Sequence, residues 1–186
     1  MNIIQTEFPG LMIIEPRVFG DSRGYFFESY NEKLMSEAGI QTVFRQDNQS
    51  FSKYGVIRGL HFQQHPYSQT KLIRALEGTI NDVVLDLRKG SPTFGKWFSV
   101  ELSAENKRQV YIPHGFAHGF SVLSEQAAIF YKCDNFYNPQ SEGGVLYNDP
   151  VLGIDWKVDA DKAIVSDKDR MLPIFNLLET NFVFNA

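Results

Sequence analysis

Short runs of apolar and β-branched residues, separated by turn residues, dominate this chain and predict strands. The predicted strands cover residues 11–19, 71–77, 79–87, 96–102, 109–112, 119–123 and 127–132. Gly78 separates the second strand from the third, and the stretch RKGSPTFG at 88–95 has the composition of a turn. Short strands at this spacing favour an all-β sandwich or barrel.

Helical patterns are few and short. Residues 31–38 (NEKLMSEA) predict one helix, with Asn31 as its N-cap and Gly39 ending it, and residues 167–171 predict a second. The chain contains neither an internal repeat nor a linker-like stretch. Residues 1–186 are therefore predicted to form a single domain.

Composition narrows the class of protein. The 186 residues are 43% hydrophobic and 22% charged, which is typical of a globular domain. No apolar run approaches the roughly 18 residues of a membrane helix, and the N-terminal stretch MNIIQTEFPG lacks the pattern of a signal peptide. Cys133 is the only cysteine, so an internal disulfide framework is excluded. We therefore predict a cytoplasmic protein without a membrane partner.

The charge balance limits the ligands. A net charge of −4 argues against a broad basic face, and therefore against nucleic acid as a partner. Small phosphorylated molecules remain compatible with this charge if a few cations are gathered locally. Aromatic residues are unusually frequent, at 14% of the chain.

Two motifs carry the candidate chemistry. The first is GVIRGLHFQ at 55–63, followed by Lys71 and Gly78, and the second is PHGFAH at 113–118. Both resemble the signature motifs of the cupin superfamily, whose fold is a β jelly roll, also called a double-stranded β-helix. The resemblance implies an all-β, cupin-type jelly roll with a few short helices.

The motifs depart from those of metal-binding cupins, which use His-x-His and Glu in the first motif and His in the second. Here Gln63 stands where the second His would be, and Lys71 stands where Glu would be. A protonated lysine has no lone pair and repels a divalent cation. We therefore predict a site without a metal or other cofactor, although His61 and His118 leave weak metal binding open.

A histidine, a lysine and a tyrosine together suit proton abstraction next to a carbonyl group. His61 is suited to act as the base near pH 7, and Lys71 is suited to stabilise a developing oxyanion. Tyr131 or Tyr137 could return the proton to the opposite face. The alternative interpretation is structural, because a histidine or tyrosine on a strand often serves only packing and hydrogen bonding.

Nine stretches, in order along nearly the whole chain, make the resemblance specific. They are EPRVFGDSRGYFFESYN, QDNQS, GVIRGLHFQ, QTKLIRALEG, DVVLDLRKGSPTFGKW, LSAENKRQVYIPHGFAHGF, YKC, YNDP and SDKD. Together they are similar to the dTDP-4-dehydrorhamnose 3,5-epimerase family. The resemblance implies epimerisation at C3 and C5 of dTDP-4-dehydro-6-deoxy-D-glucose through enolate intermediates, in dTDP-L-rhamnose biosynthesis, without a cofactor.

The resemblance also implies a role for each catalytic position. His61 would abstract the protons at C5 and C3, and Asp169 would hydrogen-bond His61 and hold its tautomer. Tyr131 would return a proton from the other face. Lys71 would hold the C4 enolate oxygen, assisted by His118.

Further positions are implied to bind the dTDP-sugar. Arg23 and Glu28 would reach the nucleotide from the partner of a homodimer, and Arg58 would pair with the diphosphate. Gln46, Asp47 and Asn48 would form the pocket for the thymine and the deoxyribose. Glu142 and Lys168 would make the remaining contacts with the substrate. The aromatic walls of the pocket would be formed by Phe19, Phe26, Phe62 and Tyr131.

Two alternatives stay open at this point. Related enzymes with the same catalytic set epimerise only C3 or only C5, or act as 3,4-ketoisomerases on a related dTDP-4-keto-6-deoxy sugar. A non-catalytic or metal-dependent cupin is the second alternative. Single positions also have simpler interpretations, since Asp169 could cap the helix at 167–171 and Arg23 and Glu142 could be surface charges.

Overall fold

A computed structural model describes residues 1–185, which contain fourteen strands and two short helices. In chain order the strands are β1 (Asn2–Gln5), β2 (Met12–Glu15), β3 (Phe19–Asp21), β4 (Gly24–Phe26), β5 (Gln46–Lys53), β6 (Val56–Gln63), β7 (Lys71–Glu77), β8 (Thr79–Asp86), β9 (Trp97–Ser103), β10 (Gln109–Ile112), β11 (Phe116–Val122), β12 (Gln126–Cys133), β13 (Glu142–Gly144) and β14 (Ile164–Val165). The helices are α1 (Glu32–Glu37) and α2 (Asp167–Arg170). Single 3-10 turns occur at Pro139–Ser141 and Phe175–Leu177.

Two large sheets face each other. The first has the strand order β1-β2-β10-β7-β12-β5, and the second has the order β13-β6-β11-β8-β9 with β14 beside β6. Neighbouring strands are antiparallel except for β14 and β6. From β5 to β8, and again from β9 to β12, consecutive strands alternate between the sheets, as in a jelly roll. The predicted fold class is confirmed.

The space between the sheets holds the main apolar core. Ile73 and Val110 of the first sheet meet Val84 and Phe120 of the second there, and all four are buried. Alternation along each strand turns every second side chain into this layer. Part of the layer is lined by ionisable side chains instead, and this part forms the site described below.

The hairpin and the helices lie outside the sandwich. β3 and β4 pair only with each other, and all their residues are exposed. α1 begins at the predicted N-cap, where the Asn31 side chain accepts a hydrogen bond from the Leu34 N–H, and Gly39 follows the helix with a φ of 87°. Among residues 1–185, neither helix has the length and hydrophobicity that crossing a membrane requires.

Most predicted strands are present, and those at 71–77 and 109–112 match to the residue. The strand predicted at 11–19 is divided, because Pro16 has no N–H to donate to a ladder and β2 ends just before it. Six of the described strands were not predicted, namely β1, β4, β5, β6, β13 and β14. β5 has no buried apolar residue because it is the outer strand of its sheet, so the hydrophobic signal is weak there.

Candidate active site

A cavity of about 570 Å³ opens between the two sheets and gathers the predicted catalytic residues. Its lining includes His61, Lys71, Tyr131 and Asp169, together with His118. The cavity falls within the size range of small-molecule sites. The sandwich therefore brings together side chains from five separate elements of the chain.

The two histidines come from one sheet, and the lysine and the tyrosine come from the other. His61 on β6 and His118 on β11 are direct cross-strand partners. Lys71 begins β7 and Tyr131 lies on β12, and these strands are neighbours in the facing sheet. A molecule held between the sheets therefore meets imidazoles on one side and a phenol and an ammonium group on the other.

His61 is hydrogen-bonded to a buried carboxylate. Its Nε2 lies 2.8 Å from Oδ1 of Asp169, and Oδ2 of Asp169 accepts from the Gly59 N–H at 3.1 Å. Burial raises the pKa of Asp169, but these hydrogen bonds outweigh it, so the net pKa lies below the usual value and the group is ionised. An ionised carboxylate can only accept, so Nε2 of His61 donates to it, and in the neutral imidazole the lone pair of a base then lies on Nδ1.

Helix α2 places the Asp169 carboxylate. The helix is capped by Ser166, whose Oγ accepts from the Asp169 N–H at 3.1 Å, and the Asp169 side chain is turned toward β6. The interpretation of Asp169 as the helix cap is therefore wrong. The hydrogen bond predicted between Asp169 and His61 is confirmed.

His118 has a carboxylate partner of its own, which the sequence analysis did not identify. Its Nε2 lies 2.8 Å from Oδ2 of Asp82 on β8. Burial lowers the pKa of His118 despite the opposing influence of Asp82, so the imidazole is neutral at pH 7. The sequence did contain a signal for this pair, because Asp82 is an acidic residue within the largely apolar run of β8, and a buried charge needs a partner.

Lys71 supplies a cation in the interior of the cavity. Burial lowers its pKa, although the nearby Cys133, Asp82 and Glu142 oppose this effect. Its Nζ lies 5.8 Å from the centroid of the Tyr131 ring. Burial raises the pKa of Tyr131, so the phenol keeps its proton at neutral pH. The pair therefore joins a positive charge to a proton donor.

Two further cations line the cavity nearer its mouth. The Nε of Arg58 donates to Oγ of the buried Ser52 at 3.1 Å. The Nζ of Lys168 donates to Oε2 of Glu142 at 2.7 Å, and the hydroxyl of Tyr137 donates to the same oxygen at 2.9 Å. Sequence reasoning gave no role to Ser52 and left Tyr137 only as a possible acid.

The predicted nucleotide pocket on β5 comprises Gln46, Asp47 and Asn48. Gln46 accepts from the Tyr137 N–H at 3.2 Å, Asp47 forms an ion pair with Lys132 at 2.8 Å, and the amide of Asn48 lies 3.7 Å from Sγ of Cys133. Within residues 1–185, the cavity lining takes Ser50 from this strand and none of these three. They adjoin the catalytic cavity rather than forming its wall.

Arg23 and Glu28 lie away from the cavity of their own chain. Arg23 is in the turn between β3 and β4, its side chain is 88% exposed, and it forms an ion pair with Asp21 at 2.6 Å. Glu28 accepts from the Asn31 side chain at 3.0 Å. Neither residue is among the described residues that line the cavity. Within one chain, the fold does not bring them to the site.

The predicted aromatic walls are partly wrong. Tyr131 lines the cavity, but Phe62 packs edge-on against Phe182 in the apolar core. Neighbouring residues on a strand point to opposite faces, so Phe62 turns away from the side that His61 occupies. Phe19 and Phe26 lie exposed on the hairpin, and the cavity is lined by Phe120 instead.

The donor set of the cavity does not suit a divalent metal ion. Among residues 1–185, no group of three or more His, Cys, Asp and Glu side chains is placed to hold one. Lys71 also places an ammonium group in the cavity that both imidazoles line. A cation at that point repels a second cation.

Comparison with known proteins agrees with the motifs. Residues 5–176 match the family model described as dTDP-4-dehydrorhamnose 3,5-epimerase. The curated protein of that name from Shigella flexneri is 54% identical over 170 residues, which are 91% of this chain and 93% of the relative.

Solved structures agree as well. The dTDP-6-deoxy-D-glucose-3,5-epimerase of Legionella pneumophila, in complex with dTDP-4-keto-L-rhamnose, is 47% identical, has a TM-score of 0.94 and covers 100% of this chain and 99% of its own. The dTDP-4-dehydrorhamnose 3,5-epimerase of Elizabethkingia anophelis is 54% identical, has a TM-score of 0.90 and covers 95% and 97%. This chain therefore belongs to the dTDP-4-dehydrorhamnose 3,5-epimerase family.

Proposed function

We propose that this protein epimerises dTDP-4-dehydro-6-deoxy-D-glucose at C3 and C5, giving dTDP-4-dehydro-L-rhamnose for dTDP-L-rhamnose biosynthesis. One observation carries the proposal: His61 and Tyr131 face one cavity from opposite sheets. Inverting a carbon centre requires removal of a proton from one face and delivery of a proton to the other. The Legionella relative, which was solved with dTDP-4-keto-L-rhamnose, supports this substrate class.

The first step is proton abstraction by His61. The ketone at C4 makes the protons on C3 and C5 acidic, because the carbanion is delocalised onto the ketone oxygen. Nδ1 of His61 accepts the proton, and the C–H electron pair moves into the enolate. Asp169 then stabilises the imidazolium across the 2.8 Å hydrogen bond.

The developing enolate oxygen is held by Lys71. A preorganised cation in a cavity that excludes water is worth about 3 kcal/mol of transition-state stabilisation. Neutral His118 donates its Nε2–H to Asp82, so its other ring nitrogen, Nδ1, carries a lone pair and the imidazole cannot donate to an oxyanion. His118 therefore contributes to the cavity lining as an acceptor and leaves the enolate oxygen to Lys71.

The second step is proton delivery by Tyr131. Its hydroxyl gives a proton to the carbon from the opposite face, and the enolate electrons return to form the C–H bond. The phenolate and the imidazolium are then reset by exchange with solvent. The same groups serve C5 and C3 in turn, and the reaction moves protons only, so it uses no cofactor.

The nucleotide half of the substrate is bound by cations and amides around the mouth of the cavity. Arg58 pairs with the diphosphate, and Gln46, Asp47 and Asn48 receive the thymine and deoxyribose. Arg58, Lys71 and Lys168 line one cavity in a chain of net charge −4, so the local field attracts a dianionic ligand although the whole protein is acidic. Glu142 and Lys168 complete the substrate contacts.

The complete site is formed in a homodimer. Arg23 and Glu28, which lie away from the cavity of their own chain, reach the nucleotide bound by the partner. The exposed aromatic side chains of the hairpin, Phe19, Tyr25 and Phe26, support this arrangement because they would be covered on association. A monomer in sedimentation equilibrium would contradict it. We assign the protein to the cytoplasm, since its one cysteine, Cys133, needs no oxidising compartment.

Incubation with dTDP-4-keto-6-deoxyglucose in D₂O tests the reaction. We expect deuterium at both C3 and C5 of the recovered sugar, read by NMR, because each inversion takes its new proton from solvent-exchanged groups. Label at one carbon only would identify a mono-epimerase, and a sugar with its ketone moved to C3 would identify a 3,4-ketoisomerase. Absence of exchange at both carbons would refute the proposal and leave the non-catalytic cupin.

Replacing the acid separates exchange from inversion. Tyr131→Phe keeps the aromatic ring but removes the proton donor, so His61 can still remove a proton and return a deuteron to the same face. We expect continued deuterium exchange with inversion lowered on the order of 10²-fold. Tyr54→Phe, on a tyrosine outside the described cavity lining, is the matched control. Equal loss of exchange and inversion would contradict the two-face scheme.

A further inference from the structure

Gln63 is a buried side chain for which the proposed mechanism has no use. It ends β6 two residues after His61, at the motif position where metal-binding cupins carry their second histidine. Only 5% of its surface is exposed, and it is not among the described residues that line the cavity. A buried amide must be hydrogen-bonded, so its partners indicate its role.

All three hydrogen bonds of the Gln63 amide go to the backbone of other segments. Its Nε2 donates to the carbonyl oxygens of Tyr67 at 2.6 Å and Phe136 at 3.2 Å. Its Oε1 accepts from the Asn138 N–H at 2.7 Å. Gln63 therefore holds the chain on both sides of Tyr137, while Gln46 holds the N–H of Tyr137 itself.

Tyr137, which is held in this way, belongs to a cluster of three side chains at the cavity mouth. We call Tyr137, Glu142 and Lys168 the rim triad, because the Tyr137 hydroxyl and the Lys168 ammonium group both donate to Oε2 of Glu142. Burial opposes ionisation of Glu142, but the two donors outweigh it and lower its pKa, so the carboxylate is charged. Glu142 is also the cross-strand partner of Gln63.

We propose that Gln63 is a positioning residue that holds Tyr137 in the rim triad and thereby sets the affinity for the nucleotide sugar. This inference rests on the proposed function, because it takes the rim triad to contact the dTDP-sugar. Tyr137 is 56% exposed, so little packing would hold it without the two bonds that Gln63 makes on either side of it and the one that Gln46 makes to its N–H. Without these hydrogen bonds, Tyr137 would become ordered only when the dTDP-sugar binds. The entropy lost in that ordering would lower the affinity for the dTDP-sugar.

Two variants and a control test this role. Gln63→Leu removes all three bonds, and Gln63→Glu keeps the shape and the acceptor but loses both donations. Gln64→Leu is the control, since Gln64 also bridges two backbone groups, Glu179 O at 2.8 Å and Asn181 N at 3.0 Å, in a segment away from the rim. Binding is measured by calorimetry with dTDP-glucose, which lacks the ketone and cannot react, and turnover is measured by deuterium exchange.

We expect both Gln63 variants to weaken dTDP-glucose binding and raise KM roughly 3- to 10-fold, as for the ordering of one long side chain, with kcat within about twofold. Gln64→Leu should change neither. In a Tyr137→Ala background the Gln63 substitutions should add nothing, because their effect passes through Tyr137. If Gln63 had only a structural role, its substitution would instead lower kcat and thermal stability, and it would do so equally with and without the Tyr137 side chain.

Each outcome has a definite meaning. If kcat falls in parallel with kcat/KM, or if the Gln63 effect persists in full without Tyr137, the positioning role is overturned. If the unaltered protein exchanges no deuterium but binds dTDP-glucose more tightly than the Gln63 variants do, the proposed reaction fails and the positioning role stands. If both Gln63 variants bind like the unaltered, active protein, the positioning role alone fails.

Discussion

His61→Ala should abolish deuterium exchange at both C3 and C5 of the 4-keto sugar. The loss is expected on the order of 10³-fold or more, because both proton abstractions depend on the same base and water is a poor substitute. Unlike Tyr131→Phe, the variant has no residual same-face exchange, since no proton is removed at all. Exchange is measured by NMR at saturating substrate, so that weaker binding does not contribute.

The chain offers a matched control for this variant. His114 also places its Nε2 2.8 Å from an aspartate oxygen, that of Asp134, but it lies outside the described lining of the cavity. His114→Ala removes the same kind of His–Asp contact and should leave the exchange rate within about twofold, as for surface substitutions away from the site. Measurable exchange by His61→Ala at both carbons would mean that another group is the base.

Lys71→Met should lower kcat by about 10²- to 10³-fold, because it removes the cation that neutralises the enolate oxygen. KM should change less, since the ground-state ketone carries no full charge. Burial lowers the pKa of Lys71 in the folded protein, so keeping the charged ammonium group buried costs folding free energy at neutral pH. This cost decreases as the pH rises through the pKa that Lys71 has in the folded protein. The variant should therefore not melt at a lower temperature than the unaltered protein at pH 7.

The pH profile gives a second measurement on the same residue. The alkaline limb of kcat should begin below the pKa of an exposed lysine, because neutral Lys71 cannot hold an oxyanion. Tyr131 cannot account for that limb, since burial moves its pKa in the opposite direction. The limb should be absent in Lys71→Met and retained in Lys162→Met, a surface control. A kcat of Lys71→Met within about tenfold of the unaltered protein would contradict the role, given the typical worth of one such donor.

Local structure could largely be predicted from the sequence wherever a single physical rule decides the conformation of a segment. The strands at 71–77 and 109–112 match because their apolar patterns are strong. α1 begins directly after its N-cap Asn31, because the Asn31 side chain satisfies a free backbone N–H. The rule failed at 11–19, where Pro16 interrupts the ladder, and on polar β5, which as an outer strand buries little.

The sequence identified most residues of the site, but it did not identify all the contacts between them. The two motifs identified His61, Lys71 and His118 as candidates, the family resemblance selected Tyr131, and all four line the cavity. Asp82 was missed because its partnership with His118 spans 36 residues of sequence and depends on β8 lying beside β11.

By itself, the sequence determined the family, the jelly roll and the residue types that perform acid–base chemistry, because these depend on local patterns and motif letters. Only the tertiary structure decided that base and acid come from opposite sheets, that Asp82 on β8 meets His118 on β11, and that Gln63 holds the loop of Tyr137. Period-two alternation tells which side chains share a face of one strand. It does not tell which strands become neighbours, and that pairing sets every distance in the site.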